Sequence, residues 1–235
     1  MSLTITNIPT IMRSKKWLNG ASLLDSWFSR YVAVAPKYGL PDTTTIQMDS
    51  WVLTFPRAKK IYDQLMKERI WVNAAAQGEI TKMLRRKGLL MPVSRSFGNL
   101  AQPVPLQDDD YINYRVVSFG LSDLDDMSAA LGNFAFRVVV AGYVTAASGV
   151  SGYQVTMTEV GVYIQDSFDF NGDQFLGYWD DSDNSVSMIN PFSGTSVSNQ
   201  DFRDWRAKNG RGGDFRVFSD MKRTVLTPPD TFLIK

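Results

Sequence analysis

The stretch Phe134-Ala135-Phe136-Arg137-Val138-Val139-Val140-Ala141 decides the fold class of the second half of this 235-residue chain. Apolar side chains recur there at every second position, and the positions between them are also mostly apolar. This period of two predicts a β-strand over residues 133–147, and the apolar residues on both sides predict that both faces are at least partly covered. Similar patterns predict strands over residues 111–119 and 153–165. The glycine-containing loop 148–152 predicts a long hairpin.

The first part of the chain has the helical period instead. Apolar residues recur there at intervals of three and four, which places them on one face of a helix. Asn7, Thr54 and Asn73 are each expected to cap a helix, and Pro56 suits the first helical turn because a proline has no N–H to leave unpaired. The sequence therefore predicts a helical N-terminal region.

A connector separates the two patterns. Residues 91–110 contain three prolines, several small polar residues and a run of aspartates, which is typical of an irregular segment. We therefore predict an α+β protein with a helical N-terminal region over 1–90, a connector over 91–110 and a β-rich C-terminal region over 111–235. The C-terminal region is expected to be a twisted antiparallel sheet or a partial β-barrel with one short helix.

Composition excludes several classes of chemistry. The chain has no histidine and no cysteine, so it offers neither a Ser-His-Asp triad nor a cysteine nucleophile or zinc site. Its formal charge of +1 gives no general attraction to nucleic acid, and we predict no nucleic-acid partner. No apolar run approaches the length of a membrane helix, and the N-terminus has no secretory signal. We expect a cytoplasmic location in the producing cell, with any export independent of such a signal.

Six aspartates are concentrated between residues 166 and 183, among aromatic side chains. Asp169, Asn171 and Asp173 have the spacing of the first, third and fifth positions of a calcium loop, so they are candidate ligands for calcium or magnesium. Gln174 stands where an EF-hand requires glycine, and the flanking residues have a strand pattern. The alternative is a strand, a turn rich in Asp and Asn, and a second strand.

A second candidate site follows a short helix near the C-terminus, which Ser198 or Asn199 caps and Gly210 ends. The run Gly210-Arg211-Gly212-Gly213 can form a nest of backbone N–H groups that binds a phosphate or carboxylate, flanked by arginines such as Arg203 and Arg211. The alternative is a tight turn whose arginines pair with nearby aspartates, because the local charges nearly balance.

Nearly the whole chain resembles an uncharacterised proteobacterial family, a domain of unknown function often encoded beside type VI secretion genes. The resemblance is carried by residues 5–9, 161–172, 176–179, 201–206 and 210–215, together with Trp17 and Trp27-Phe28. Such a gene neighbourhood implies an effector, its immunity partner or a delivery adaptor.

A local resemblance adds a catalytic hypothesis. Asp166-x-Phe168-Asp169-x-Asn171 is similar to the catalytic Asp-x-Tyr-Asp-x-Asn stretch of colicin M-type bacteriocins, which cleave the lipid-linked peptidoglycan precursor. The resemblance implies that Asp166 is the principal carboxylate and Asp169 its partner, with Arg203 or Arg211 holding the phosphate. Phe168 replaces the family's tyrosine, and the histidine and arginine that follow in that family are missing.

We therefore expect a type VI secretion-associated effector, an antibacterial toxin that acts on a competitor's cell envelope. The alternatives are a non-catalytic immunity or adaptor protein and a colicin M-like enzyme. A protein partner is predicted in each case, either a component of the secretion spike or an immunity protein. An active-site role requires Asp166 and Asp169 to lie at one cleft, and strand geometry allows this only if the strand ends or bulges near Ser167 or Phe168.

Overall fold

The computed structural model describes residues 3–32, 39–120, 123–149 and 151–235, so Val150 of the predicted hairpin loop lies outside the described residues. Of these described residues, 33% are helical and 31% lie in strands. The sheets that these residues form are antiparallel and open. The predicted α+β class is confirmed, with open sheets.

Six α-helices form within the described residues. They are α1 (Ile8–Ser14), α2 (Leu18–Ser29), α3 (Pro56–Glu68), α4 (Ala74–Arg86), α5 (Asp126–Leu131) and α6 (Asn199–Asn209). Short 3-10 helices also occur over Ile5–Asn7, Val52–Thr54, Val104–Leu106 and Asp108–Asp110. None of the helices in the described part of the chain is long and apolar enough to cross a membrane.

Of the three predicted caps, one forms as predicted. Asn7 stands at the N-cap position of α1, but its side-chain amide donates to Asp181 Oδ2 at 3.2 Å and makes no capping hydrogen bond to the described helix. The side chain of Asn73 accepts the Ala76 N–H at 2.9 Å and caps α4 as predicted. The prediction that Thr54 caps α3 is wrong, because Phe55 is the N-cap residue and the Thr54 hydroxyl donates to the Trp51 carbonyl oxygen at 2.6 Å. Helix α3 starts with the predicted proline, whose missing N–H would have had no partner within the helix, and it has no side-chain cap.

Helix α5 is absent from the sequence prediction, so the second half contains two helices where one is expected. It is held at its start by a reciprocal capping box, in which Ser128 N–H donates to Asp125 Oδ1 and Asp125 N–H donates to Ser128 Oγ, each at 2.9 Å. A helix of six residues is too short to show a clear apolar period, and the cap is therefore its main sequence signal.

Nine strands form two sheets in the described residues. They are β1 (Arg95–Phe97), β2 (Asn113–Val117), β3 (Phe134–Ala146), β4 (Tyr153–Phe168), β5 (Phe175–Asp180), β6 (Ser185–Ser187), β7 (Thr195–Ser198), β8 (Phe215–Phe218) and β9 (Lys222–Ile234). The larger sheet has the order β1-β3-β4-β8, with β2 also paired to β3 and β9 to β4. The smaller sheet has the order β6-β5-β7.

The long hairpin of β3 and β4 is antiparallel, with Val138 opposite Val162 and Val144 opposite Val155. It has one register shift next to Gly142, where an added Cβ would lie 1.9 Å from the Thr156 carbonyl oxygen. Glycine at this position allows the two backbones to approach closely. The predicted strands and their pairing are confirmed.

The chain divides into two compact units, each built from three segments. Unit 1 comprises Met1–Ile46, Ser118–Phe134 and Asp166–Val217, and it contains α1, α2, α5, α6 and the smaller sheet. Unit 2 comprises Gln47–Val117, Ala135–Gln165 and Phe218–Lys235, and it contains α3, α4 and most of the β3–β4 hairpin. The proposed ranges 1–90, 91–110 and 111–235 stay a prediction.

Each unit has its own buried core. In unit 1 aromatic rings predominate: Phe170 and Phe202 stack with centroids 3.8 Å apart, and the edge of Trp27 packs against Phe170 at 4.8 Å. In unit 2 the core includes the cluster Leu100, Val104, Val139, Tyr163 and Phe218. Burial of this apolar surface provides most of the favourable free energy of folding.

Candidate functional site

The end of β4 positions the first candidate carboxylates. The strand ends at Phe168, so Asp166 belongs to its last residues and Asp169 begins the turn that follows. Asp169 Oδ1 accepts the Asn171 N–H at 3.1 Å, and Gly172 has a φ of 73°, which favours glycine. An active-site role for Asp166 and Asp169 requires β4 to end or bulge near Ser167 or Phe168, and β4 ends at Phe168.

A cleft of about 360 Å³ opens within unit 1, and both Asp166 and Asp169 line it. Its apolar wall includes side chains from several elements, among them Ile8, Met12, Trp17, Leu24, Phe175 and Trp179. Polar side chains join the two carboxylates, namely Asn133, Asn171, Gln174 and Asn199. An apolar cavity with a few convergent polar groups has the typical composition of a small-molecule binding site.

Arg203 of α6 braces the turn beside the cleft. Its guanidinium donates to the carbonyl oxygens of Phe170, at 2.8 Å, and of Gly172, and it lies 3.3 Å from Asp173 Oδ1. The side chain of Asn199 also donates to the Asn171 carbonyl oxygen at 2.7 Å. These donors satisfy backbone oxygens that the turn leaves without strand partners, so Arg203 has a structural task at this site.

The candidate metal ligands lie in this same turn. The Asp173 side chain is 99% exposed, and Asp169 accepts a backbone N–H of the turn. Within the described residues, no group of three or more His, Cys, Asp or Glu side chains has an arrangement that could hold a metal ion. The structure therefore adds no support for calcium or magnesium at Asp169, Asn171 and Asp173, and that site stays a prediction.

The glycine turn after α6 is occupied by the end of α2. Gly212 N–H donates to the Arg30 carbonyl oxygen at 2.9 Å, and Gly213 N–H donates to that of Trp27 at 3.2 Å. Arg211 donates to the carbonyl oxygen of Ser29 at 2.9 Å and to the Tyr31 hydroxyl at 3.0 Å. These N–H groups and Arg211 stabilise the C-terminus of a helix, which supports the tight-turn alternative over an anion nest.

Of the four catalytic candidates, two line the cleft and two do not. Asp166 and Asp169 belong to its wall, whereas Arg203 and Arg211 are absent from the described lining residues and donate to backbone oxygens. The cleft thus contains the predicted carboxylates without the predicted phosphate-binding arginines.

The sequence matches the model of one protein family along nearly its whole length. The matched residues are 3–196 and 193–234, and the family is described as a family of unknown function, DUF6402. The chain belongs to the DUF6402 family. Comparisons with curated proteins and with solved structures find no match. The expected membership in an uncharacterised family is confirmed, while its link to type VI secretion genes and the likeness to colicin M stay predictions.

In this DUF6402 protein, part of the cleft wall lies outside every sequence-predicted site. Ser128, Leu131 and Gly132 in and after α5 line the cleft, as does Phe119. Trp17 also contributes, and its ring meets Trp179 edge to face with centroids 6.4 Å apart. The α5 residues had only the capping pair Asp125 and Ser128 as a signal, and that signal predicts a helix start rather than a binding site.

Asp180, another member of the aspartate segment, is held outside the cleft by its own turn. The Ser182 hydroxyl and N–H donate to Asp180 Oδ1 at 2.6 and 2.8 Å. The hydroxyl first, and then the backbone N–H, lower the pKa of this carboxyl below its ordinary value. The aspartate segment therefore comprises the end of β4, a turn, the strand β5 and a second turn that begins after Asp180, which agrees with the strand–turn–strand alternative.

Proposed function

We propose that this protein is a type VI secretion-associated effector that acts on a competitor's cell envelope through the cleft of unit 1. The observation that supports the proposal is that Asp166 and Asp169, three residues apart at a strand end, line the same aromatic cleft. The chain has no histidine or cysteine, so carboxylates are its main candidates for acid–base chemistry. The effector would remain in the cytoplasm of the producer until delivery.

Cleavage of a lipid-linked peptidoglycan precursor is the less favoured form of this activity. Such a substrate carries phosphate groups, which proteins commonly hold with arginine. Arg203 and Arg211 donate to the backbone oxygens of Phe170, Gly172 and Ser29 instead. The proposal therefore rests on the carboxylates and the apolar wall, without a phosphate-binding step.

Toxicity in two compartments tests the proposal. The protein is expressed in a susceptible bacterium, either in the cytoplasm or with an added periplasmic signal. Each form is expressed with and without the gene that lies next to its own, which is the candidate gene for an immunity partner. We expect growth arrest only with the periplasmic form, and relief of that arrest by an immunity partner. Harmlessness in both compartments would exclude the effector proposal.

Substitution of the carboxylates tests the role of the cleft. Asp166→Asn and Asp169→Asn keep the side-chain size and remove the charge, so both variants should fold and lose toxicity. Asp183→Asn is the matched control, because Asp183 is exposed and outside the cleft lining. Full toxicity of both cleft variants would remove the carboxylates from the proposal, even if the protein itself proved toxic.

A non-catalytic immunity or adaptor protein is the second candidate. Two observations favour it: most of the cleft wall is apolar, and Ile189 and Phe192 are exposed large apolar residues in the β6–β7 connection. Hydrogen bonds at Ser187, Asn190 and Ser193 hold that connection in a defined turn. Such a protein should be harmless in both compartments and should co-purify with a cargo or a component of the secretion spike.

A further inference from the structure

The connection between β6 and β7 exposes two large apolar side chains to solvent. Ile189 is 77% exposed and Phe192 is 95% exposed, which makes Phe192 the most exposed large apolar residue that the structure describes. Single exposed apolar residues are normal on protein surfaces, whereas exposed apolar groups that lie together mark sites of interaction. We call residues 189–192 the apolar tip.

Hydrogen bonds fix the conformation of the apolar tip. Ser187 Oγ accepts the Asn190 N–H at 3.0 Å, and Asn190 Oδ1 accepts the Phe192 N–H at 3.1 Å. The Ser193 hydroxyl donates to the Asn190 carbonyl oxygen at 2.6 Å. Backbone groups that already have partners cost less to remove from water than free ones, so these bonds suit the tip to an apolar environment.

The segment around the apolar tip has no charged residue. Residues 184–200 include no Lys, Arg, Asp or Glu. Other exposed apolar side chains have charged groups beside them: Leu106 precedes the aspartates 108–110, and Val225 lies opposite Glu159 in the sheet. A charged group is costly to transfer from water to hydrocarbon. The apolar tip can therefore enter a lipid bilayer without dehydrating a charge, whereas the surroundings of Leu106 and Val225 cannot.

The same connection forms part of the cleft wall. Val186 and Met188 line the cleft of unit 1, and Ile189 follows Met188 directly. A surface that binds the apolar tip is therefore held close to the cleft.

We infer that the apolar tip docks this protein onto the surface of a lipid bilayer, with the side chains of Ile189 and Phe192 inserted among the lipid chains. The inference rests on the proposed function in one respect only, since it places the cleft of the effector at a membrane surface and so names an amphiphile as its substrate. Two side chains contain less hydrocarbon than one myristoyl chain, which alone gives only marginal membrane binding. Docking through the tip is therefore weak and reversible.

Sedimentation with lipid vesicles tests the docking. The full-length protein is mixed with vesicles of phosphatidylcholine, or of phosphatidylcholine with phosphatidylglycerol, at low and high salt. We expect binding to both kinds of vesicle with little effect of salt, because the contact is apolar and phosphatidylcholine has no net charge. Absence of binding to phosphatidylcholine vesicles would overturn the inference. Binding that requires the anionic lipid and is lost at high salt would overturn it too.

Substitutions in the apolar tip assign the binding to it. Phe192→Ser and Ile189→Ser should each weaken binding to phosphatidylcholine vesicles by about tenfold, because each removes a side chain whose burial drives insertion. Leu106→Ser is the matched control: Leu106 is 71% exposed, and its replacement should leave binding unchanged. Melting temperatures check that the variants fold. Binding as tight as that of the wild type in both tip variants would overturn the inference.

A fluorescent label measures insertion directly, because the chain has no cysteine of its own. Pro191→Cys in the apolar tip and Leu106→Cys as control each provide one site for an environment-sensitive fluorophore. On addition of phosphatidylcholine vesicles, emission from the tip label should move to shorter wavelength, and emission from the control label should not change. No shift at the tip, or equal shifts at both positions, would overturn the inference.

Vesicle binding and toxicity together separate this inference from the proposed function. Vesicle binding by a protein that proves harmless in both compartments would contradict the effector proposal and leave this inference standing. Toxicity without vesicle binding would overturn this inference alone. A complex with a component of the secretion spike that is lost in Phe192→Ser, in a protein that binds no vesicles, would overturn it in favour of a protein partner.

Discussion

Both units contain a buried tryptophan whose indole N–H donates to an aspartate that also pairs with an arginine. In unit 1, Trp27 Nε1 lies 2.9 Å from Asp214 Oδ1, and Arg206 pairs with the same oxygen. In unit 2, Trp71 Nε1 lies 2.8 Å from Asp230 Oδ2, and Arg69 pairs with the other oxygen, Oδ1. The two networks use the same chemical groups in different geometry.

Their burial differs more than their chemistry. The side chains of Arg206 and Asp214 are 20% and 9% exposed, whereas those of Arg69 and Asp230 are 49% and 13% exposed. Arg206 Nε is also buried and has no hydrogen-bond partner among the residues that the structure describes. A charge that cannot reach water depends on its partner much more than a half-exposed one does. The comparison therefore predicts that unit 1 is the more sensitive to loss of its aspartate.

Replacement of each aspartate by asparagine gives the largest expected effect. Asp214→Asn keeps an acceptor for Trp27 but leaves Arg206 as an uncompensated buried charge, which should lower the free energy of unfolding by about 4 kcal/mol. Asp230→Asn should lower it by about 1 kcal/mol, because Arg69 can turn to water. Urea unfolding measures both changes, and hydrogen exchange assigns each to its own unit. Equal losses in the two variants would break the comparison.

The backbone at Gly212 packs against Trp27, the buried tryptophan of unit 1, and it gives a second test of the difference between the two units. Gly212 has a φ of 95°, and an added Cβ would lie 2.5 Å from the Trp27 ring. Gly212→Ala should therefore cost about 3 kcal/mol, from an unfavourable backbone conformation and overpacking together. Thermal unfolding and the near-ultraviolet spectrum of the tryptophans measure the effect.

Gly210→Ala is the matched control for that substitution. Gly210 also has a positive φ, 63°, but nothing lies within 4 Å of its added Cβ. Gly210→Ala should therefore lower the free energy of unfolding by about 1 kcal/mol, from the unfavourable backbone conformation alone. A loss as large as that of Gly212→Ala would show that the contact with Trp27 is unimportant.

The last expected effect, of about the same size as that of Asp230→Asn, concerns a carboxylate of unit 2 that accepts two hydrogen bonds at one oxygen. Asp108 Oδ1 accepts the Tyr163 hydroxyl at 2.8 Å and an Arg137 N–H at 2.6 Å. Burial first, and then the charge of Asp108, raise the pKa of Tyr163 far above its ordinary value of 10.0. Tyr163→Phe should lower the free energy of unfolding at pH 7 by about 1 kcal/mol.

The pH dependence of the wild type has a definite sign. Folded protein holds the Tyr163 proton more tightly than unfolded protein, so this contribution is fully present below about pH 10 and is lost as the pH rises above it. As the pH rises above about 10, the free energy of unfolding measured by urea titration should therefore fall less for the Tyr163→Phe variant than for the wild type. The exposed Tyr114→Phe serves as control. Identical alkaline profiles for all three proteins would contradict the assignment.

Local rules account for much of the fold. Asn73 caps α4 because its side chain needs only an N–H three residues away, and Gly210 ends α6 because glycine accepts the left-handed conformation found there. The alternating pattern around Val138 predicts β3, and it too involves only residues that are close in sequence. These elements depend on information that lies within a few residues.

The site depends on information that lies far apart. Trp27 and Asp214 are 187 positions apart, and the partner of Trp27 cannot be read from its neighbours. Arginine side chains such as those of Arg203 and Arg211 are suited to phosphate binding. Both nevertheless donate hydrogen bonds to backbone oxygens of unit 1. The local resemblance to colicin M-type bacteriocins paired Asp166 with Asp169, and the strand end between them is a local feature that allows both to line the cleft.

Arg203 holds the turn beside the cleft through backbone atoms, so the conformation of the turn does not depend on the side chains that the turn exposes. Arg203 donates to the carbonyl oxygens of Phe170 and Gly172, and a carbonyl oxygen is present whatever side chain the residue carries. The side chains of Asn171 and Asp173 are exposed and can change without removing those acceptors. Replacement of Asn171, whose side chain is exposed at the cleft, should therefore change the surface offered to a ligand and leave the conformation of the turn unchanged.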